Sequence, residues 1–438
     1  MKRLDANIIL FLGPLFLLTV MNLSNPQRPT VSEIEQRQLQ PLPELTAKRL
    51  WSGEYFRSFE AYFADTFIFR DRFVALGRLV SSLRGVATQD GAELVVMQGD
   101  NGFQGYQDGE DGTGQAAATK PEQPPAAAGV NAPPQESAQG DTQEGLDSKS
   151  AILVLGERAM ELYRFSAPAS QRYADTINRF QAGLPEGVQT YVLLAPIQIE
   201  FHSNEKYRAL SSPQKEAIQA VYDRLNEGVM PVDAYTPIQQ HIDQYLYFRT
   251  DHHWTALGAY YAYTAFIQAT GNTPVSLDQF EVEQFGGFLG TTYARTLNKR
   301  LEKTPDTVFV YKPQVKYQYD IYWTPGQPAR SDLFNLANAQ SKGKYGLFLG
   351  GDVPLGRIRT EVKNGRKIAV IKDSYANAFI PYLVAHYEEV YVIDPRQFTQ
   401  NIHAFIREES INEVLFLNYI LVTSLDGYAP LLEAMMNR

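Results

Sequence analysis

The sequence predicts an α/β fold: a doubly wound, mostly parallel sheet with helices on both faces, an N-terminal membrane anchor and a disordered insert. Three observations lead there. From residue 151 onward, short apolar runs alternate with longer amphipathic ones. Residues 8–21 form an apolar run behind Lys2 and Arg3. Residues 104–149 carry Gly, Ala, Pro, Gln and Glu with hardly any large apolar side chain.

The N-terminal run is broken only by Gly13, Pro14 and Thr19, and no small-x-small cleavage pattern follows it. It reads as an uncleaved signal anchor over residues 1–23, with the positive charges inside and the body outside. A cleaved signal peptide is the alternative. Residues 24–103 form a stalk and an N-terminal helical region. Within it, residues 51–84 read as helix, because Tyr55, Phe56, Phe59, Tyr62, Phe63 and Phe67 recur at three-to-four spacing. That stripe reads as core contact. Residues 104–149 cannot bury enough surface to offset their ordering entropy. The apolar runs on either side, 93–98 and 151–156, can pair as a hairpin interrupted by this insert.

Residues 150–438 form the main domain. Strand-like runs lie at 151–155, 190–194, 229–232, 367–371, 389–393 and 413–417. Helix-like runs lie at 170–184, 213–227, 255–270, 375–386, 398–408 and 428–436. Residues 275–350 are less regular and read as a lid or an inserted subdomain. Ligands of such folds sit at the carboxyl ends of the strands.

Composition narrows the function. A net charge of −9 argues against general nucleic-acid binding. The absence of cysteine excludes disulfides, thiolate metal sites and a Cys nucleophile. Aromatic residues reach 12%, which suits sugar faces and large cores alike.

Two constellations carry chemistry. The chain has six His, and two of them fall together in Thr250-Asp251-His252-His253-Trp254. In an extended segment Asp251 and His253 share a face, so the carboxylate can orient the imidazole, while His252 points the opposite way. A structural reading has Asp251 capping the helix of 255–270. A metal reading also exists, but the remaining His show no metal-ligand spacing, so no metal is expected. The second constellation is Lys372-Asp373-Ser374-Tyr375. It follows the apolar run Ile368-Ala369-Val370-Ile371, which puts the Ser374 hydroxyl at a strand end and near a helix N-terminus. Ser374 is either a nucleophile or an N-cap. Acid, His and Ser together are the parts of an acyl-transfer or hydrolytic triad. Gly351, behind a strand-like run at 345–349, is a candidate oxyanion donor. Asn377 and Asn418 are candidate amide donors, and Arg396 at another strand end is a candidate substrate contact. Trp254 joins this binding set.

These residues resemble a known family. Thr250-Asp251-His252-His253-Trp254 matches the motif that names the DHHW proteins, which are SGNH-hydrolase-like and related to the AlgJ/AlgX alginate O-acetyltransferases. Glu35-Gln36-Arg37-Gln38-Leu39 and residues 65–72 also look like the family's N-terminal pattern. The resemblance implies an SGNH-like fold with Ser374 as nucleophile, His253 as base and Asp251 as orienting acid. The Ser block departs from the family's Gly-Asp-Ser. The resemblance further implies an extracytoplasmic, membrane-anchored O-acetyltransferase acting on a polysaccharide without a cofactor, with a membrane-bound O-acyltransferase as acetyl supplier. A carbohydrate acetyl esterase using the same triad, and a non-catalytic polysaccharide-binding or assembly protein, are the alternatives.

Overall fold

The computed structural model describes residues 37–70, 92–101 and 149–438, with residues 13, 16–22, 24, 28, 29, 31, 32, 72, 73 and 76. Most of the expected anchor and nearly all of the expected insert lie outside the described residues. No helix among the described residues is long and apolar enough to cross a membrane.

The main domain begins with an antiparallel sheet of β1 (Glu93–Asn101), β2 (Lys149–Leu155) and β3 (Arg158–Glu161). Glu93 pairs with Val154 and Val96 with Ala151, so the strands on either side of the insert do form a hairpin. The large sheet draws on β4 (Gln189–Ala195), β5 (Val229–Val232), β8 (Tyr317–Thr324), β9 (Gln327–Ser331), β10 (Leu355–Thr360), β11 (Lys367–Lys372), β12 (Glu389–Ile393) and β13 (Glu413–Tyr419). A separate hairpin of β6 (Glu281–Phe288) and β7 (Asp306–Lys312) stands between β5 and β8 in sequence.

The strand order is β9-β8-β10-β12-β11-β13-β4-β5. The five strands from β12 to β5 are parallel, whereas β9, β8 and β10 attach antiparallel at one side. The sheet is therefore mixed, with a parallel core, rather than mostly parallel throughout. Every residue of β12 and β13 is buried, as is β11 after Lys367, which is why these strands read as continuous apolar runs.

The longer helices that pack around the sheet include α1 (Ala167–Ala182), α2 (Gln214–Tyr222), α3 (Ala256–Ala269), α4 (Ile402–Glu408) and α5 (Tyr428–Asn437). Ser166, Thr255 and Asn401 cap α1, α3 and α4 by accepting from backbone N–H groups. The β4-to-β5 and β12-to-β13 connections run toward one edge, and β11-to-β12 runs toward the other. Right-handed crossovers then put α2 and α4 on one face and the segment after β11 on the opposite face. The packing agrees, since α1 contacts α2 and α5, and α3 contacts the turns after β11.

The helix expected over 375–386 is instead two 3₁₀ turns, Ser374–Ala378 and Ile380–Ala385. Pro381 has no N–H to give to the Asn377 carbonyl, so an α-helical ladder fails there. Where the helix expected over 51–84 is described, it is Ala47–Trp51 and Glu54–Asp65, separated at Gly53, whose φ is +71°, with residues 70, 72, 73 and 76 again helical; the rest of 71–84 lies outside the described residues. Its aromatic stripe is not core: Phe56 and Phe59 are exposed, and the rings stack on one another along the helix.

Candidate active site

β11 lies inside the parallel core, between β12 and β13, and Ser374 lies just past its carboxyl end. Asp373 caps the turn that follows, its Oδ1 accepting from Tyr375 N at 2.9 Å. Ser374 is thus the first residue of that turn rather than its cap.

The partner segment is held by β7. Asp306, fully buried at its start, accepts from Arg249 N at 3.0 Å and Thr250 N at 2.7 Å. That fixes the backbone entering Asp251. Residues 250–253 form a bend rather than an extended strand. Asp251 Oδ1 accepts from His253 N at 3.0 Å, an Asx-type turn two residues long. The same oxygen meets His253 Nδ1 at 2.6 Å, and His253 Nε2 meets Ser374 Oγ at 2.7 Å. All three side chains are buried.

His252 does not point away as the extended reading has it. Its ring packs on that of His253 with centroids 3.7 Å apart. On the other side Tyr345 stacks on His253, also at 3.7 Å, with planes 7° apart. The Tyr345 hydroxyl donates to Ser374 O at 3.0 Å.

Two further bonds join the motif to the serine segment. Trp254 Nε1 donates to Tyr375 O at 2.8 Å, and the Tyr375 hydroxyl donates to the His252 carbonyl. Trp254 is fully buried, so its part here is to lock two segments in register, not to face a ligand.

The other Asp251 oxygen, Oδ2, accepts from Thr291 N at 2.8 Å and Thr291 Oγ1 at 2.9 Å. Gly290 makes this approach possible, since a Cβ there would lie 2.3 Å from Asp251 Cβ. Burial alone raises an acid's pKa. The charge that His253 takes up, with the hydrogen bonds from His253 and Thr291, outweighs it and holds Asp251 well below the ordinary carboxylate range. Such a chain can pass the Ser374 proton to His253 Nε2 while an ionised Asp251 holds Nδ1–H.

The accessory candidates are engaged within the protein. The Gly351 N–H donates to Phe348 O at 3.1 Å, and 345–349 is a 3₁₀ turn and loop, not a strand. Asn377 accepts from Lys372 Nζ at 2.8 Å and donates to Asp352 at 3.1 Å. Asn418 accepts from the Tyr173 hydroxyl at 2.8 Å and donates to Asp373 at 3.2 Å. Arg396 is ion-paired with Asp352 and Asp394. Asp352 thereby ties residues 350–352 to Lys372, Asn377 and Arg396. A metal could draw on Asp251, His252 and His253, whose ligand atoms lie within 4.8 Å of one another. Both His253 nitrogens and His252 Nδ1 are already spent on hydrogen bonds.

Sequence reasoning missed Thr291, Asp306 and Tyr345. All three come from the stretch it read as irregular.

Comparison with known proteins fits this geometry. The family model described as DHHW protein matches residues 124–393, more than half of the chain and inclusive of both segments. A DHHW family protein from Eubacterium siraeum has 30% identity and a TM-score of 0.60, over 65% of this chain and 94% of that one. PatB1 of Bacillus cereus, solved with a sulfonyl adduct, has 18% identity and a TM-score of 0.54, over 63% and 96%. The O-acetyltransferase domain of Pseudomonas putida AlgJ has 14% identity and a TM-score of 0.37, over 64% and 96%. Comparison with curated proteins finds no match. With the motif at Asp251–Trp254, the serine behind β11 and a family match across both, this chain belongs to the DHHW family.

Proposed function

We propose that this protein is an extracytoplasmic O-acetyltransferase that moves acetyl groups onto a polysaccharide through an acetyl-Ser374 intermediate. The observation that carries the reading is the buried hydrogen-bonded chain Ser374–His253–Asp251 at the carboxyl end of β11, an inner strand of the parallel core. His253 Nε2 takes the hydroxyl proton as Ser374 Oγ attacks the acetyl carbonyl. The resulting oxyanion sits near the Ser374 N–H, which at the first position of a turn has no partner inside that turn. His253 then protonates the departing group. A sugar hydroxyl gives its proton to His253, attacks the acetyl carbon and releases Ser374 with its proton restored.

Transfer and hydrolysis use the same triad and differ in which acceptor reaches the acyl-enzyme at the buried Ser374. The N-terminal apolar segment holds the chain at the membrane, where a membrane-bound O-acyltransferase supplies the acetyl group.

The test is incubation of the purified chain with an activated acetyl ester and a set of oligosaccharides, reading acetylated sugar against free acetate. Acetylated sugar from wild type and none from Ser374→Ala is the expected result. Acetate alone would make the protein an esterase. Neither product from a folded wild type would point to a binding or assembly role.

A further inference from the structure

The acid end of the chain carries two groups to which acyl transfer assigns no task. Thr291 opens the short helix Thr291–Thr296 and aims its N–H and hydroxyl at Asp251 Oδ2. The same hydroxyl oxygen lies 2.6 Å from His252 Nδ1. A hydroxyl has one proton to give. Were it given to His252, an acceptor-only carboxylate oxygen and the lone pairs of Thr291 would face each other at 2.9 Å. The proton therefore goes to Asp251, and Thr291 accepts from His252, which must carry its own proton on Nδ1.

We infer that His252 and Thr291 form a second arm of the site, running from His252 Nδ1–H to Thr291 Oγ–H to Asp251 Oδ2, opposite the His253 arm on Oδ1. Thr291 is the positioning residue that fixes the plane of Asp251 and sets how much of its charge His253 receives. His252 orients Thr291 and presses on the His253 ring opposite Tyr345. Burial, with the nearby charge of His253, keeps His252 neutral, so the imidazole stacked on the base does not oppose its protonation. Arg295, Glu161, Asp352, Tyr375 and Tyr419 are other charged or titratable groups around this pair. The Arg295–Glu161 ion pair at 2.7 Å contributes both signs at once.

The inference rests on the acyl-transfer reading for its rate effects, but not for its hydrogen bonds. Thr291→Val removes the hydroxyl and keeps the N–H. It is expected to lower kcat about 10- to 100-fold, the effect of one hydrogen bond to a charged group, with KM little changed. The acid limb of the rate profile should move to higher pH, because a carboxylate relieved of one donor holds the imidazolium more tightly. Thr291→Ser should restore both. NMR of the imidazole nitrogens of the full chain gives a readout that needs no turnover. His252 should carry its proton on Nδ1 in wild type and lose that preference in Thr291→Val. An Nε2-protonated His252 in wild type would overturn the inference, as would a folded Thr291→Val with wild-type kcat and acid limb. Should Thr291→Val not fold, the wild-type tautomer and the Thr291→Ser rates decide. A wild type that transfers no acetyl yet shows the Nδ1 tautomer would sink the acyl-transfer reading and leave the second arm standing.

Discussion

Asp251 and Asp373 are both buried, lie on either side of Ser374, and are driven in opposite directions. Burial pushes the Asp373 carboxyl up to about 6, against the hydrogen bonds it accepts from Tyr375 N, Tyr419 N and Asn418. Its folded value exceeds the ordinary 3.8, so between about pH 4 and pH 6 the folded state binds a proton that the unfolded chain has released. The stability linked to Asp373 is present at pH 4 and falls as pH rises through 6. Asp251 behaves oppositely, its contribution being present above the ordinary carboxylate value and lost only in stronger acid. An Asp373→Asn variant cannot titrate there. In denaturant unfolding its stability should gain on wild type by about 2 kcal/mol between pH 4 and pH 7. A gap that stays level with pH would refute this. The sequence discloses Ser374, His253 and Asp251 because three reactive residue types in that pattern have few structural uses. It does not disclose which polar residues are already satisfied. Asn377, Asn418 and Arg396 stand at strand ends as donors should, yet each is committed to a buried neighbour. Thr291 carries no signal of its own, since its task exists only once Gly290 lies against Asp251.

Among elements, the loop that carries Tyr345 decides access. Leu349, Gly350 and Gly351 follow with φ of +61°, +77° and +101°, and the buried Leu349 pays for a left-handed backbone by filling the core. Asp352 then clamps the loop to Lys372 and Arg396. In the proposed reaction the Tyr345 ring swings from its place over His253 to admit the acetyl donor. Tyr345→Ala is expected to raise the rate at which a small sulfonyl fluoride labels Ser374. It should also shift product from acetylated sugar toward free acetate by several-fold, because water then enters. Slower labelling with an unchanged product ratio would show that Tyr345 is not a cover. From sequence this stretch reads as a strand-like run within an irregular region, because a buried 3₁₀ turn closed by left-handed residues shows the apolar content of a strand and no helical period.

At the scale of the whole molecule, the parallel core was legible and its antiparallel flank was not. Strands β4, β11, β12 and β13 are buried on both faces, and so are written as unbroken apolar runs. β9, by contrast, is almost wholly exposed and reads Gln-Pro-Ala-Arg-Ser, with a Pro and a charge suited to an edge and no apolar pattern to find. That division puts the two reactive segments at one end of the legible core. Their union can be measured by treating the folded chain with a sulfonyl fluoride and mapping the adduct by peptide mass, with Ser374→Ala and His253→Ala alongside. One adduct is expected, on Ser374, absent in Ser374→Ala and formed far more slowly in His253→Ala. An unlabelled wild type, or labelling that persists unchanged in Ser374→Ala, would contradict it.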